Sequence, residues 1–170
     1  MKRTVELGFL LAIALILSYV ESLIPFTFGI PGIKLGLPNL IVVLLLYGGK
    51  TPGSGAREAL LVNILRIFLS GFMFGNLYAI LYALSGAVCS FGAMVFARKC
   101  KCFSMIGVSV LGGVFHNMGQ IVTAMVVVET FAVVYYLPVL IIAGVVTGAA
   151  LGVLGMELAP YLRFDSRFSA

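Results

Sequence analysis

Residues 135–158 read YYLPVLIIAGVVTGAALGVLGMEL, twenty-four positions with one charged side chain, Glu157. At about 1.5 Å per residue the run extends about 36 Å, enough to cross a hydrocarbon core of about 30 Å. It is apolar on every side, so as a helix it has no face for water. The inside–outside alternation of a membrane barrel strand is missing as well. A transmembrane helix is the reading that satisfies its backbone N–H and C=O groups without solvent.

The rest of the chain follows suit. Of 170 residues, 62% are hydrophobic and 10% charged, against roughly 45–50% and about 25% in soluble domains. So few polar groups cannot cover a globule in water, which excludes a soluble enzyme. Apolar runs near the length of a span fall at about 5–24, 35–49, 56–74, 76–97, 104–128 and 135–158. The fold expected is all-α, a polytopic membrane protein in one transmembrane domain over residues 1–170, built as a six-helix bundle. The first run is longer than the apolar core of a typical signal peptide and is read as a retained helix. The second run is short, so it stands upright, begins below the outer interface, or is partly re-entrant.

Breakers occupy the connections: Pro25, Gly29, Pro31, Gly32 and Pro38 before the second helix, and Pro52 to Gly55 before the third. With the N-terminus inside, Lys2, Arg3, Lys50, Arg57, Arg98, Lys99, Lys101, Arg163 and Arg167 all lie on the cytoplasmic side. Lys34 alone lies outside, and Arg66 lies within a span. Both termini are therefore expected in the cytoplasm. The net charge of +5 is accounted for by basic loops beside anionic headgroups, without nucleic acid as a partner.

Cys89, Cys100 and Cys102 are too few for a disulfide framework. No His or third Cys stands near Cys100 and Cys102, so neither a metal site nor a cofactor is expected. Tight helix packing in lipid relies on small residues four apart. Gly144, Gly148 and Gly152 form one such stripe, which should press on another helix. Gly8 with Ala12 and Ala14 with Ser18 form two more on the first helix, open to internal packing or to docking of a partner protein.

Polar residues inside the spans are the functional candidates, since such groups are costly in lipid. Arg66 lies about 15 Å along the third helix, near mid-depth. Facing lipid there would cost roughly 2.5–3.5 kcal/mol, so it should face inward, with Asn63 and Ser70 on the same face. His116, Asn117 and Gln120 stand at similar depth on the fifth helix, and Glu21 lies nearer the outer surface. Two readings fit: a satisfied polar core that fixes helix register, or a site for a small polar ligand. The outer loop from Pro25 to Asn39, apolar with Gly and Pro hinges, reads either as a lid carrying Lys34 toward the ligand or as a segment lying in the headgroups. The expected ligand set is Glu21, Lys34, Asn39, Asn63, Arg66, His116, Asn117 and Gln120. No catalytic arrangement stands beside it: paired acidic motifs, a phosphate-cradling Gly-rich loop and a nucleophile elbow are all missing.

Three segments, Ser18-Tyr-Val-Glu-Ser-Leu-Ile-Pro25, Pro31-Gly-Ile-Lys-Leu-Gly-Leu-Pro-Asn39 and Gly112-Gly-Val-Phe-His-Asn-Met-Gly-Gln120, resemble those of the bacterial Gx transporter family, whose members are often labelled heptaprenyl diphosphate synthase component I. By architecture that family resembles the S components of energy-coupling factor transporters. The resemblance implies six helices in the bacterial cytoplasmic membrane and a ligand pocket on the outer side capped by the first loop. It also implies a coupling subunit with ATPases, docked on small residues of the first helix. Gly8, Ala12, Ala14 and Ser18 are the matching positions, although the S-component pattern has alanine at both ends of the four-residue step. The synthase label implies instead a soluble prenyl synthase subunit as partner, in heptaprenyl diphosphate or menaquinone synthesis. Prenyl diphosphate synthases use Asp-rich magnesium motifs, whereas this chain has one Asp, Asp165, which points away from independent catalysis. Similarity to components of flavin-dependent electron export keeps flavin- or quinone-related molecules among the ligands implied.

Overall fold

Helix boundaries fall where the sequence supplies ends. In the computed structural model, which describes residues 2–23, 36–48 and 55–161, the helices are α1 (Lys2–Leu23), α2 (Asn39–Tyr47), α3 (Ala56–Phe74), α4 (Leu77–Cys100), α5 (Met105–Val128) and α6 (Leu137–Leu158). A 3-10 segment at Phe131–Tyr136 leads into α6. The Asn76 side chain caps α4 by accepting from Ala79 N at 2.8 Å, and Ser104 Oγ caps α5 by accepting from Gly107 N at 3.2 Å. Lys101 closes α4 in the left-handed conformation, with φ at 55°. Arg98 and Lys99 stand in that last turn, where the helix dipole favours cations.

The outer surface is apolar. Phe72, Leu77, Phe96, Val126 and Phe131 are each more than two-thirds exposed, a surface suited to lipid rather than water. Four helical stretches are long and apolar enough to cross a membrane: Arg3–Leu23, Leu77–Cys100, Met105–Val128 and Phe131–Leu158. The chain is thus an all-α membrane protein of six helices, of which these four have the length and apolarity of full spans. The 19-residue α3 carries three charges, on Arg57, Glu58 and Arg66. The second run, expected over 35–49, forms only nine residues of helix, starting after Pro38, which lacks the N–H that a longer helix would need.

This short helix positions everything else. Every residue of α2 from Leu40 to Leu46 is buried, packed among Leu10 and Ala14 of α1, Ala59 and Val62 of α3, Met94 of α4, Val108 of α5 and Leu151 of α6. A helix apolar all round belongs in such a centre. Its length is about 14 Å, roughly half the depth of the bilayer core. The Tyr47 ring at its end lies 4.1 Å from the Arg98 guanidinium. Arg3 of α1 pairs with Glu58 of α3 and, at 3.3 Å, with Glu6. These contacts gather Arg3, Arg57, Arg98, Lys99 and Lys101 at one end of the bundle, called here the basic end. At the opposite end, beyond the start of α2, the described residues surround a cavity.

The tightest seam joins α5 to α6, and the expected glycine stripe makes it. A Cβ on Gly144, Gly148 or Gly152 would lie 2.7–2.9 Å from the nearest backbone atom of Gly113, Val110 or Ile106. The two backbones touch because nothing projects between them.

Candidate functional site

Above the start of α2 lies a cavity of about 360 Å³. Its floor is Gly36, Pro38 and Asn39; its walls carry Ser18 and Glu21 of α1, Arg66 and Ser70 of α3, and His116 and Gln120 of α5. Ala79 and Ala83 of α4 complete the ring. Five of the eight expected ligand residues, Glu21, Asn39, Arg66, His116 and Gln120, therefore line one space.

Arg66 is 9% exposed and faces inward. Its Nη2 donates to Asn63 Oδ1 at 2.8 Å, and its Nη1 reaches Ser18 Oγ at 3.5 Å. Ser18 Oγ itself donates to Ala14 O at 2.9 Å, leaving a lone pair toward the guanidinium. Arg66 Nε is buried and has no hydrogen-bond partner among the described residues. Glu21 accepts from Gly36 N at 2.5 Å and attracts Arg66 through space. One carboxylate, one guanidinium, two carboxamides, an imidazole and the hydroxyls of Ser18, Ser22 and Ser70 thus line a space whose other walls are apolar, a combination suited to orienting a small molecule.

His116 reaches the cavity because α4 makes room for it. A Cβ on Gly86 would lie 2.8 Å from the imidazole ring, so any larger residue there would displace the ring. Further along the same seam, a Cβ on Gly119 would meet Ser85 O at 2.6 Å. The α4–α5 contact therefore sets how far His116 and Gln120 project.

Two expected ligand residues stand apart from the cavity. Asn63 supports it from behind by holding Arg66. Asn117 donates its Nδ2 to Leu140 O at 2.7 Å, which ties α5 to α6 and turns the amide away from the main space. One helix position, about 100° of rotation, separates it from His116. Lys34, most of the proposed lid loop, and Lys50, Arg163 and Arg167 lie outside the described residues.

The two stripes on α1 part company. Ala14 and Ser18 are buried inside the bundle, so the expectation that they face a partner is corrected: their small size admits α2 and Arg66. Gly8 and Ala12 are exposed, and a Cβ on Gly8 would meet nothing within 4 Å. The role of Ser18 as an acceptor for Arg66 escaped the sequence reading, since no local pattern links residues 48 positions apart. So did a second space of about 460 Å³ between α4, α5 and the start of α6, lined by Tyr82, Ile121, Ala124, Val128 and Leu140. Among the described residues no group of three or more His, Cys, Asp or Glu is placed to hold a metal ion.

Residues 10–158 match the model of a family described as heptaprenyl diphosphate synthase component I. No curated protein and no solved structure matches the chain.

Proposed function

The chain belongs to the heptaprenyl diphosphate synthase component I family, and from that membership together with the cavity we propose that it is a ligand-binding integral membrane subunit rather than a catalyst. The observation that carries this reading is Arg66: a buried guanidinium that lines a cavity shared with Glu21, Asn39, His116 and Gln120, and whose Nε has no hydrogen-bond partner among the described residues. A buried charge is costly unless something interacts with it. A purely structural arginine would have its donors satisfied by the protein.

In this reading all six helices lie in the bacterial cytoplasmic membrane, α2 as a half-depth plug. The basic end and both termini face the cytoplasm, following the distribution of Lys and Arg. The cavity then opens outward, and the ligand enters from that side beneath the loop that carries Lys34. The resemblance to S components of energy-coupling factor transporters supports a role in substrate capture, with Gly8 and Ala12 as the remaining docking positions for a coupling subunit. The ligand is small and polar or amphipathic; flavin- and quinone-related molecules fit that description.

The family name favours a second reading. A component I implies a partner synthase subunit, and this chain would then be its non-catalytic membrane partner in prenyl diphosphate or menaquinone synthesis. Purification from native membranes followed by native mass spectrometry separates the two. Capture of a ligand predicts a bound small molecule that is lost in Arg66→Gln. Co-purification of a soluble synthase with no bound small molecule would replace the first reading with the second.

A further inference from the structure

The polar cavity and the second space share two lining residues, Ala79 and Gln120. A methyl group from α4 and a flexible amide from α5 thus stand where the two spaces adjoin. On the far side the walls are mainly apolar, formed by Ile121, Ala124 and Val128 of α5, Val133 and Leu140, with Asn76, Tyr82 and Tyr136 at their margins. Along α5 this groove follows the helix from Gln120 to Val128, about 12 Å. One space therefore offers charge and amides, and the adjoining one offers mainly apolar contact over the length of a short alkyl chain.

We propose that the ligand is a single-chain amphipath whose oxyanion head lies against Arg66 and whose apolar chain passes between Ala79 and Gln120 into the groove between α4, α5 and the start of α6. This rests on the ligand-binding reading above and adds the ligand's class and orientation. The head is anionic because the Arg66 guanidinium lines the cavity, and Glu21, which accepts from Gly36 N, repels an anion and so keeps the head on the arginine's side. Carboxylate and phosphate share this chemistry. A single chain is the simplest occupant of a groove that follows one helix, α5, and holds about 460 Å³. Chain and head enter together, so that neither the charge nor the alkyl group is left facing the wrong surroundings.

The native chain has no tryptophan, so Tyr82→Trp places one fluorophore on the groove wall, and Phe72→Trp provides a lipid-facing control. In phosphatidylcholine vesicles the probes are decyl phosphate and decanoate, each brominated at the tail carbon, with butyl phosphate and butyrate as head-only competitors. The proposal expects saturable quenching of the Tyr82→Trp reporter by one of the two heads, at least twofold beyond the control. Its midpoint should rise about tenfold with the matching short competitor and about tenfold in Arg66→Gln. Quenching that matches the control, does not saturate and ignores Arg66→Gln would mean that the groove holds bilayer chains, and would overturn the proposal. If calorimetry records binding of a short competitor that is lost in Arg66→Gln while the tails leave the reporter unquenched, the chain placement is wrong but the cavity remains a ligand site. If neither short head binds, the anionic head is wrong. Tyr136→Trp repeats the test from the opposite wall should Tyr82→Trp fail to fold.

Discussion

Replacing Gly148 by alanine should separate α5 from α6, while the same replacement at Gly92 should not. The added methyl at Gly148 would sit 2.7 Å from Val110 Cα and 2.8 Å from Ser109 O, where carbon atoms prefer about 3.5–4.0 Å. Both obstacles are backbone and cannot rotate away, so the helices must part by on the order of 1 Å along the seam. Overpacking of this kind costs about 1–3 kcal/mol. A Cβ on Gly92, in the middle of α4, would meet nothing within 4 Å. Alanine there should be neutral or stabilise the protein by up to about 1 kcal/mol, because glycine is a poor helix former. Titration of the detergent-solubilised protein with sodium dodecyl sulfate, followed by circular dichroism, reads both effects against wild type. Opposite shifts of the two midpoints are expected. Coincident midpoints would refute the α5–α6 seam, and with it the placement of His116 and Gln120, which ride on α5.

Other substitutions separate site from scaffold. Arg66→Met, similar in volume and uncharged, should leave stability within about 1 kcal/mol of wild type or raise it, while abolishing retention of any ligand in native mass spectrometry. Asn117→Ala removes the bond to Leu140 O and should cost about 1 kcal/mol without changing ligand retention, whereas Gln120→Ala should do the reverse. A double-mutant cycle on Arg3→Gln and Glu58→Gln should give a coupling below about 1 kcal/mol that fades with added salt, as expected of a partly exposed ion pair.

Much of this molecule is legible in its sequence because lipid leaves few alternatives. The membrane class, the ends of α3 and α5 and the glycine stripe of α6 all follow from apolar length and small-residue spacing. Rise per residue puts Arg66 and His116 at similar positions along their helices, and both line one cavity. Rotation was harder. His116 and Asn117 are neighbours in sequence, yet one faces the cavity and the other faces α6, a choice set by which neighbouring helix approaches. Ser18 shows the same limit, for a small residue on an apolar helix reads as a packing position, and only the arrival of α3 makes it an acceptor for Arg66. The half-depth plug was partly visible in the short second run. Its consequence, a cavity beyond the start of α2, depends on the other helices closing around it.

Ligand capture at Arg66 requires a water-accessible space beside it, open at the end opposite the basic one. With Cys89, Cys100 and Cys102 replaced by serine, single cysteines at Ser70→Cys, on the cavity wall, and Phe72→Cys, facing lipid, can be exposed to a membrane-impermeant thiol reagent in right-side-out vesicles. Rapid labelling at Ser70→Cys with little at Phe72→Cys is the predicted result. Equal protection of both positions would contradict it, leaving Arg66 enclosed in a sealed core.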